Sequence, residues 1–120
     1  MGKEAEGLSF ALPYPPSINS YYRTFRGRIL ISKKGRDYRE CVCQELHGCK
    51  PILGRVAVRI TVMPPDRRKR DLDNVQKALL DSIEHAGIIE DDAMIDELHT
   101  IRGDVIPREG RVEITITSRA

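Results

Sequence analysis

RVAVRITVMPPDRRKRDLDNVQKALLDSIEHAG, residues 55–87, changes its hydrophobic period once, and that change decides the fold. In its first part Val56, Val58, Ile60 and Val62 alternate with Ala57, Arg59 and Thr61. A period of two is one face of a half-buried strand. Pro64 and Pro65 end it, because proline cannot donate to a ladder. A basic run follows, and the apolar residues then return at Leu72, Val75, Leu79, Ile83 and Ala86. That spacing is a helical stripe, and Gly87 supplies the stop. The helix is predicted to begin near Asp71–Asp73, with Asp as its cap.

Outward from this unit, LSFAL (8–12) reads as a strand halted at Pro13, and RGRILIS (26–32) as a short strand after a turn at Gly27. Tyr38, Val42 and Leu46 repeat every four residues before Gly48, which predicts a helix over 33–47. The final strand, RVEITIT, alternates Val112, Ile114 and Ile116. YPPSINSYYR (14–23), rich in Pro, Ser and Asn, is predicted to be irregular. The expected architecture is therefore α+β: one domain over residues 1–120, with 1–7 flexible and a mixed, mostly antiparallel sheet carrying two main helices on one face.

At 120 residues the chain suits one hydrophobic core. With 40% hydrophobic and 32% charged residues it lies outside the disordered class. The net charge of +2 conceals a strong asymmetry. Arg23, Arg26, Arg28, Lys33, Lys34 and Arg36 span a segment with no acid, whereas Asp81 to Glu97 holds seven acids and no Lys or Arg. Such asymmetry favours a charged partner. Cys41, Cys43 and Cys49 are odd in number and lack zinc spacing, so reduced thiols of a cytoplasmic protein are expected. No apolar run approaches the roughly 18–20 residues of a membrane span.

The carboxylates raise the chemical question. Asp71-x-Asp73 alone is a weak signal, but it stands where strand gives way to helix, and Asp91 and Asp92 follow just beyond the helix end. A calcium loop is excluded, because Val75 occupies the next ligand position. If the four acids met, they would form an all-oxygen site for a hard divalent cation. A phosphodiester would be repelled there without a cation, by roughly 4 kcal/mol per carboxylate at about 4 Å and an effective dielectric of 20. The reach is demanding: a helix over 73–86 is about 20 Å long, and five extended residues cover at most about 16–18 Å. Lys77 is one turn beyond Asp73, placed either to contact a scissile phosphate or to form an i,i+4 ion pair. Arg67, Arg68, Lys69 and Arg70 suit a nucleic-acid backbone. The block at 23–36, adjoining Tyr21, Tyr22 and Phe25, adds aromatics able to stack on bases or wedge between them.

Three segments, LPYPPSINSYYR (12–23), PDRRKRDLDNVQKALLDSIEHAGIIEDD (65–92) and GRVEITIT (110–117), together resemble the RusA-type Holliday junction resolvases. These are small endodeoxyribonucleases of bacteria and prophages. The resemblance implies a homodimer that cuts four-way DNA junctions with Mg²⁺, Mn²⁺ being the expected substitute, and with no small-molecule cofactor or membrane partner. It implies Asp71, Asp73 and Asp92 as metal-binding carboxylates, with Asp91 ranked after them. It also implies Lys77 as the active-site lysine and Arg70 on DNA. Together with the charge pattern, it puts Arg67, Arg68, Lys69, Arg23, Arg26, Arg28, Tyr21 and Tyr22 on the DNA face. Two departures are the extension MGKEAEG and Tyr14, where relatives carry tryptophan. A non-catalytic DNA-structure-binding module and a nuclease of flaps or duplex are the alternatives.

Overall fold

The alternation at 56–62 becomes the central buried strand of a computed structural model that describes residues 7–119. The elements run β1 (Gly7–Leu12), α1 (Ile18–Tyr21), β2 (Tyr22–Phe25), β3 (Arg28–Ile31), α2 (Lys33–Glu45), β4 (Val56–Met63), α3 (Asp73–His85), β5 (Ile95–Arg102) and β6 (Arg111–Ser118). A single 3-10 turn, Asp92–Met94, precedes β5. The main sheet has the order β1-β6-β4-β5. Its β1–β6 and β6–β4 pairs are antiparallel, and β4–β5 is parallel. The sheet is thus mixed and mostly antiparallel, as the sequence implies. Of the segment expected to be flexible, residues 1–6 lie outside the described residues and Gly7 opens β1.

One face of the sheet makes the core. Val56, Val58, Ile60 and Val62 of β4 join Val112, Ile114 and Ile116 of β6, all buried. Against them pack Tyr38 and Val42 of α2 and Val75, Leu79 and Ile83 of α3. Removing each such side chain from water contributes about 1.5–3 kcal/mol, so the stripe that defines α3 also fixes its rotation. Among the described residues no helix is long and apolar enough to cross a membrane, and Cys41, Cys43 and Cys49 are free thiols.

The parallel β4–β5 pair was not visible in the sequence pattern. It makes β4–α3–β5 a crossover unit, in which α3 must run back along the sheet before β5 begins. The N-terminal end of α3 therefore sits where β4 ends, and the start of β5 lies toward the other end of the helix. β5 itself is an edge strand with Ile95 and Thr100 half-buried and its other residues exposed. It is held by backbone pairing more than by a buried face, so it carries no apolar alternation.

Two further elements differ from expectation. The segment 14–23 contains the short helix α1 and the first strand of a β2–β3 hairpin. The cap of α3 is Leu72, with no side-chain capping hydrogen bond, and Asp73 is the first helical residue. Asp71 and Asp73 are both exposed, and the Asn74 N–H donates to the Asp71 carbonyl at 3.2 Å.

Candidate active site

The chain reverses after α3 in a way that answers the question of reach. Gly87 takes φ +81°, the left-handed conformation that glycine adopts without steric cost. The Gly87 N–H donates to the Glu84 carbonyl (2.9 Å) and the Ile88 N–H to the Ile83 carbonyl (3.3 Å). This is a Schellman closure. Ile88 and Ile89 are buried, and the Ile52 N–H donates to the Ile88 carbonyl at 2.8 Å. The returning chain is thereby pinned close to the helix. Glu84 then catches it: one carboxylate oxygen accepts the backbone N–H of Asp92 at 3.1 Å.

The return ends beside Lys77, whose ammonium lies 3.9 Å from the Asp92 carboxylate. That distance is long for a hydrogen bond. The lysine side chain is 51% exposed and that of Asp92 39%, so the pair is solvated and free to separate. At 100° per residue Asp73, Lys77 and Glu84 fall within about 40° of one another on α3. The structure so brings Lys77 and Asp92 together on the stripe that begins with Asp73. Asp73 is one turn further toward the N-terminus, about 6 Å along the axis.

Among the described residues, the carboxylates whose ligand oxygens lie within 4.8 Å of one another form the group Glu84, Asp91 and Asp92. Asp71 and Asp73 are not in that group. Asp91 also accepts the Ala93 N–H at 2.7 Å, capping the 3-10 turn, and this leaves Asp92 to face the lysine. Burial, and then the neighbouring Asp92 and Asp91, push the Glu84 carboxyl above its usual range. Like charges gathered this closely are the donor chemistry of a hard divalent cation, which takes oxygen ligands. Sequence reading had missed Glu84. Its signal was the helical phase shared with Asp73 and Lys77.

The basic loop divides in two. Arg67, Arg68 and Lys69 are exposed. Arg70 instead makes two bonds to Asp66, at 2.5 and 3.1 Å, and its guanidinium lies 5.9 Å from the Tyr14 ring centroid. Asp66 also accepts the Arg68 N–H at 2.9 Å. The Arg70 side chain and then the Arg68 amide lower the Asp66 carboxyl to about 2. Arg102, at the end of β5, donates to the Arg70 carbonyl at 2.7 Å. Arg70 is therefore tied into the loop through Asp66, Arg68 also lies 3.5 Å from that carboxylate, and Arg67 and Lys69 are exposed beside them.

The tyrosines also separate. Tyr21, expected on the DNA face, is fully buried. Its hydroxyl donates to Asp81 at 2.5 Å, and Arg39 donates both to that hydroxyl (2.8 Å) and to Asp81 (2.6 Å). No face of its ring is open to a base. Burial and then the Asp81 bond raise the Tyr21 hydroxyl to about 12. Tyr22 is half-buried and packs edge-on against Tyr21 at 4.8 Å. Tyr22 lines a cleft of about 610 Å³ together with Ile18, Thr24, Ile29 and Lys77. Arg23, Arg26 and Arg28 are exposed on the hairpin above it.

Comparison with known proteins adds a decisive observation: the endodeoxyribonuclease RusA family matches residues 13–117. The chain belongs to the RusA family. A crossover junction endodeoxyribonuclease of Enterobacteria phage HK97 is 44% identical over 111 residues, covering 90% of this chain and 92% of the relative. The crossover junction endodeoxyribonuclease of phage 82 is 44% identical over 109 residues, 88% of this chain and 90% of that protein. The RusA protein of Escherichia coli K12 is 42% identical over 112 residues, 91% and 92% of the two chains. The matched span of this RusA-family chain contains the whole α3 stripe, the basic loop and the returning acids.

Proposed function

We infer that this protein is a Mg²⁺-dependent, structure-specific endodeoxyribonuclease that resolves four-way (Holliday) DNA junctions by paired nicks. Family membership supports the activity. The observation that carries it to particular residues is the approach of Lys77 to Asp92 on the stripe headed by Asp73. Asp71, Asp73 and Asp92 would hold the ion, with Asp91 and Glu84 beside them, and Mn²⁺ would serve in its place. Once bound, the ion would polarise the phosphoryl oxygen and lower the pKa of a bound water. Lys77 neutralises charge developing at the scissile phosphate. Arg67, Arg68, Lys69, Arg23, Arg26 and Arg28 grip phosphates without reading sequence, and Arg70 holds their loop in place through Asp66. Tyr22 sits at the wall of the cleft that leads to Lys77.

Two nicks on symmetry-related strands suit a homodimer, in which one isologous contact yields two equivalent sites. The edge strand β5, with Leu98 39% and Ile101 54% exposed, supports a second copy at that side. We place the action in the cytoplasm, where the recombining DNA is.

The test is direct. Purified protein with Mg²⁺ is expected to cut a synthetic four-way junction, leaving 5′-phosphate and 3′-hydroxyl ends, and to spare a linear duplex of the same sequence. EDTA should stop it. Equal cutting of the duplex would overturn junction specificity, and binding without cutting in Mg²⁺ and Mn²⁺ would make the protein a DNA-structure binder.

Glu84 gives a second expectation. Glu84→Ala removes the acceptor that holds the Asp92 turn, and such supporting contacts commonly change metal affinity by about 10–100-fold. The Mg²⁺ concentration for half-maximal cutting should rise at least about tenfold. Glu84→Gln keeps an oxygen for the Asp92 N–H and should recover most of the loss. If the glutamine variant fails as fully as alanine, Glu84 acts by its charge and not by holding the turn.

A further inference from the structure

The β2–β3 hairpin is built for contact on both of its faces. Arg26 and Gly27 have φ of 51° and 75°, the paired positive values of a tight hairpin turn. The two strands form a sheet of their own, apart from the main one. Cross-strand partners share a face, and the register pairs Tyr22 with Ile31, Thr24 with Ile29, Arg23 with Leu30 and Phe25 with Arg28. Tyr22, Thr24 and Ile29 are therefore on one side, which lines the cleft leading to Lys77, and Arg23 reaches that cleft from the other side. Phe25 and Arg28 are on the other. Ile29 is 75% exposed and Phe25 49%.

A single exposed apolar side chain would need no explanation. Here one stands on each face of a hairpin whose surrounding segment, 23–36, has six bases and no acid. The guanidinium groups of Arg23 and Arg26 lie 5.6 and 5.2 Å from the Phe25 ring centroid. An aromatic ring amid guanidinium groups suits a base with its flanking phosphates: the ring takes the π-face and the cations take the backbone. A duplex lying in the cleft meets Tyr22, Thr24, Ile29 and Arg23, whereas Phe25 and Arg28 do not line it. The outer side meets DNA only where a second arm leaves in another direction.

We propose that the hairpin is a two-sided probe of branched DNA, in which Phe25 stacks on a base exposed at the branch point and so favours junctions over linear duplex. This rests on the nuclease reading of the cleft and names the element that selects the substrate. Phe25 is a specificity-determining residue, separate from the groups at Lys77 and Asp92.

The test uses full-length protein and binding in Ca²⁺, so that cutting is not needed. Phe25→Ala should weaken binding to a four-way junction about tenfold and leave binding to linear duplex unchanged. The chain contains no tryptophan, so Phe25→Trp supplies a single reporter. It should retain junction affinity, with its emission quenched by the junction and not by the duplex. Equal losses on both DNAs, no loss on either, or equal quenching by duplex would overturn the proposal. A shift of Phe25→Ala to a smaller oligomer with unchanged junction preference would overturn it too, by placing Phe25 against a second copy. Wild-type protein that binds junctions yet never cuts them defeats the nuclease reading alone, and the quenching comparison still decides the role of Phe25.

Discussion

Asp73→Asn is expected to lower junction cutting by about a thousandfold and, with no divalent ion present, to bind the junction more tightly than wild type. Both effects have one cause. Asp73 is exposed in the first turn of α3, where Leu72 is the cap residue. Its charge is therefore open to DNA that reaches Lys77, one turn further along the same stripe. A carboxylate about 4 Å from a phosphate costs roughly 4 kcal/mol at an effective dielectric of 20, and a cation held between them converts that repulsion into attraction. Asparagine keeps an oxygen and nearly the same shape but loses the charge, so it cannot hold the ion well. Without the ion, losing the charge removes a repulsion. Single-turnover cutting in Mg²⁺ and filter or gel binding in EDTA measure the two sides. Wild-type cutting by Asp73→Asn would move the site to the cluster of Glu84, Asp91 and Asp92.

The sequence made some of this legible because the causes are local. The period at Val56–Val62 names a strand, and that at Leu72–Ile83 names a helix and its buried side. Asp73 and Lys77 follow from position on that helix, and Asp71 from its place just before it. Asp92 was harder, because its approach depends on where the chain turns and what catches it. Gly87 marked the turn, but the catch is Glu84, whose helical phase matches Asp73 and Lys77 while its partner, the Asp92 N–H, lies eight residues on. Tyr21 and Tyr22 look alike in a basic, aromatic stretch, yet one is buried and the other lines a cleft. Their fates are set by Asp81 and Arg39, 60 and 18 residues away in the chain. β5 escaped notice because an edge strand needs only backbone partners. The type of each element was written locally, and the pairing of distant charges was not.

That pairing makes the second large prediction one of stability. Asp81→Ala should destabilise the fold by about 2–3 kcal/mol, fewer than the 3–5 typical of a fully buried pair. The reduction reflects the exposure left to both partners: 24% for the Arg39 side chain and 17% for that of Asp81. The aspartate accepts from the Tyr21 hydroxyl and from Arg39, and its removal leaves the buried phenol with the Ser82 hydroxyl at 3.3 Å and a mostly buried guanidinium short of its carboxylate. For a chain of this size the loss is a fall of about 10 °C in Tm. The pH dependence gives an independent check. Burial alone would raise the Asp81 carboxyl, but the bonds from Tyr21 and Arg39 outweigh it and the net shift is downward. A depressed carboxyl stabilises the fold fully above its unfolded value of about 3.9, and the benefit fades as pH falls through the lower, folded value. The gap between wild type and Asp81→Ala should therefore be constant near neutrality and narrow below about pH 4. The consequence reaches the DNA side as well. Tyr21 ends α1 and Tyr22 begins β2, so the network fastens the root of the hairpin to α3 one turn beyond Lys77. A backbone contact reinforces this hold: a Cβ at Gly35 of α2 would lie 2.5 Å from the Tyr21 carbonyl oxygen, so only glycine lets α2 approach so closely. Asp81→Ala protein assayed well below its Tm should accordingly lose discrimination between junction and duplex before it loses cutting. A variant with unchanged Tm would show that packing around Tyr21, and not the charge beneath it, holds the hairpin in place.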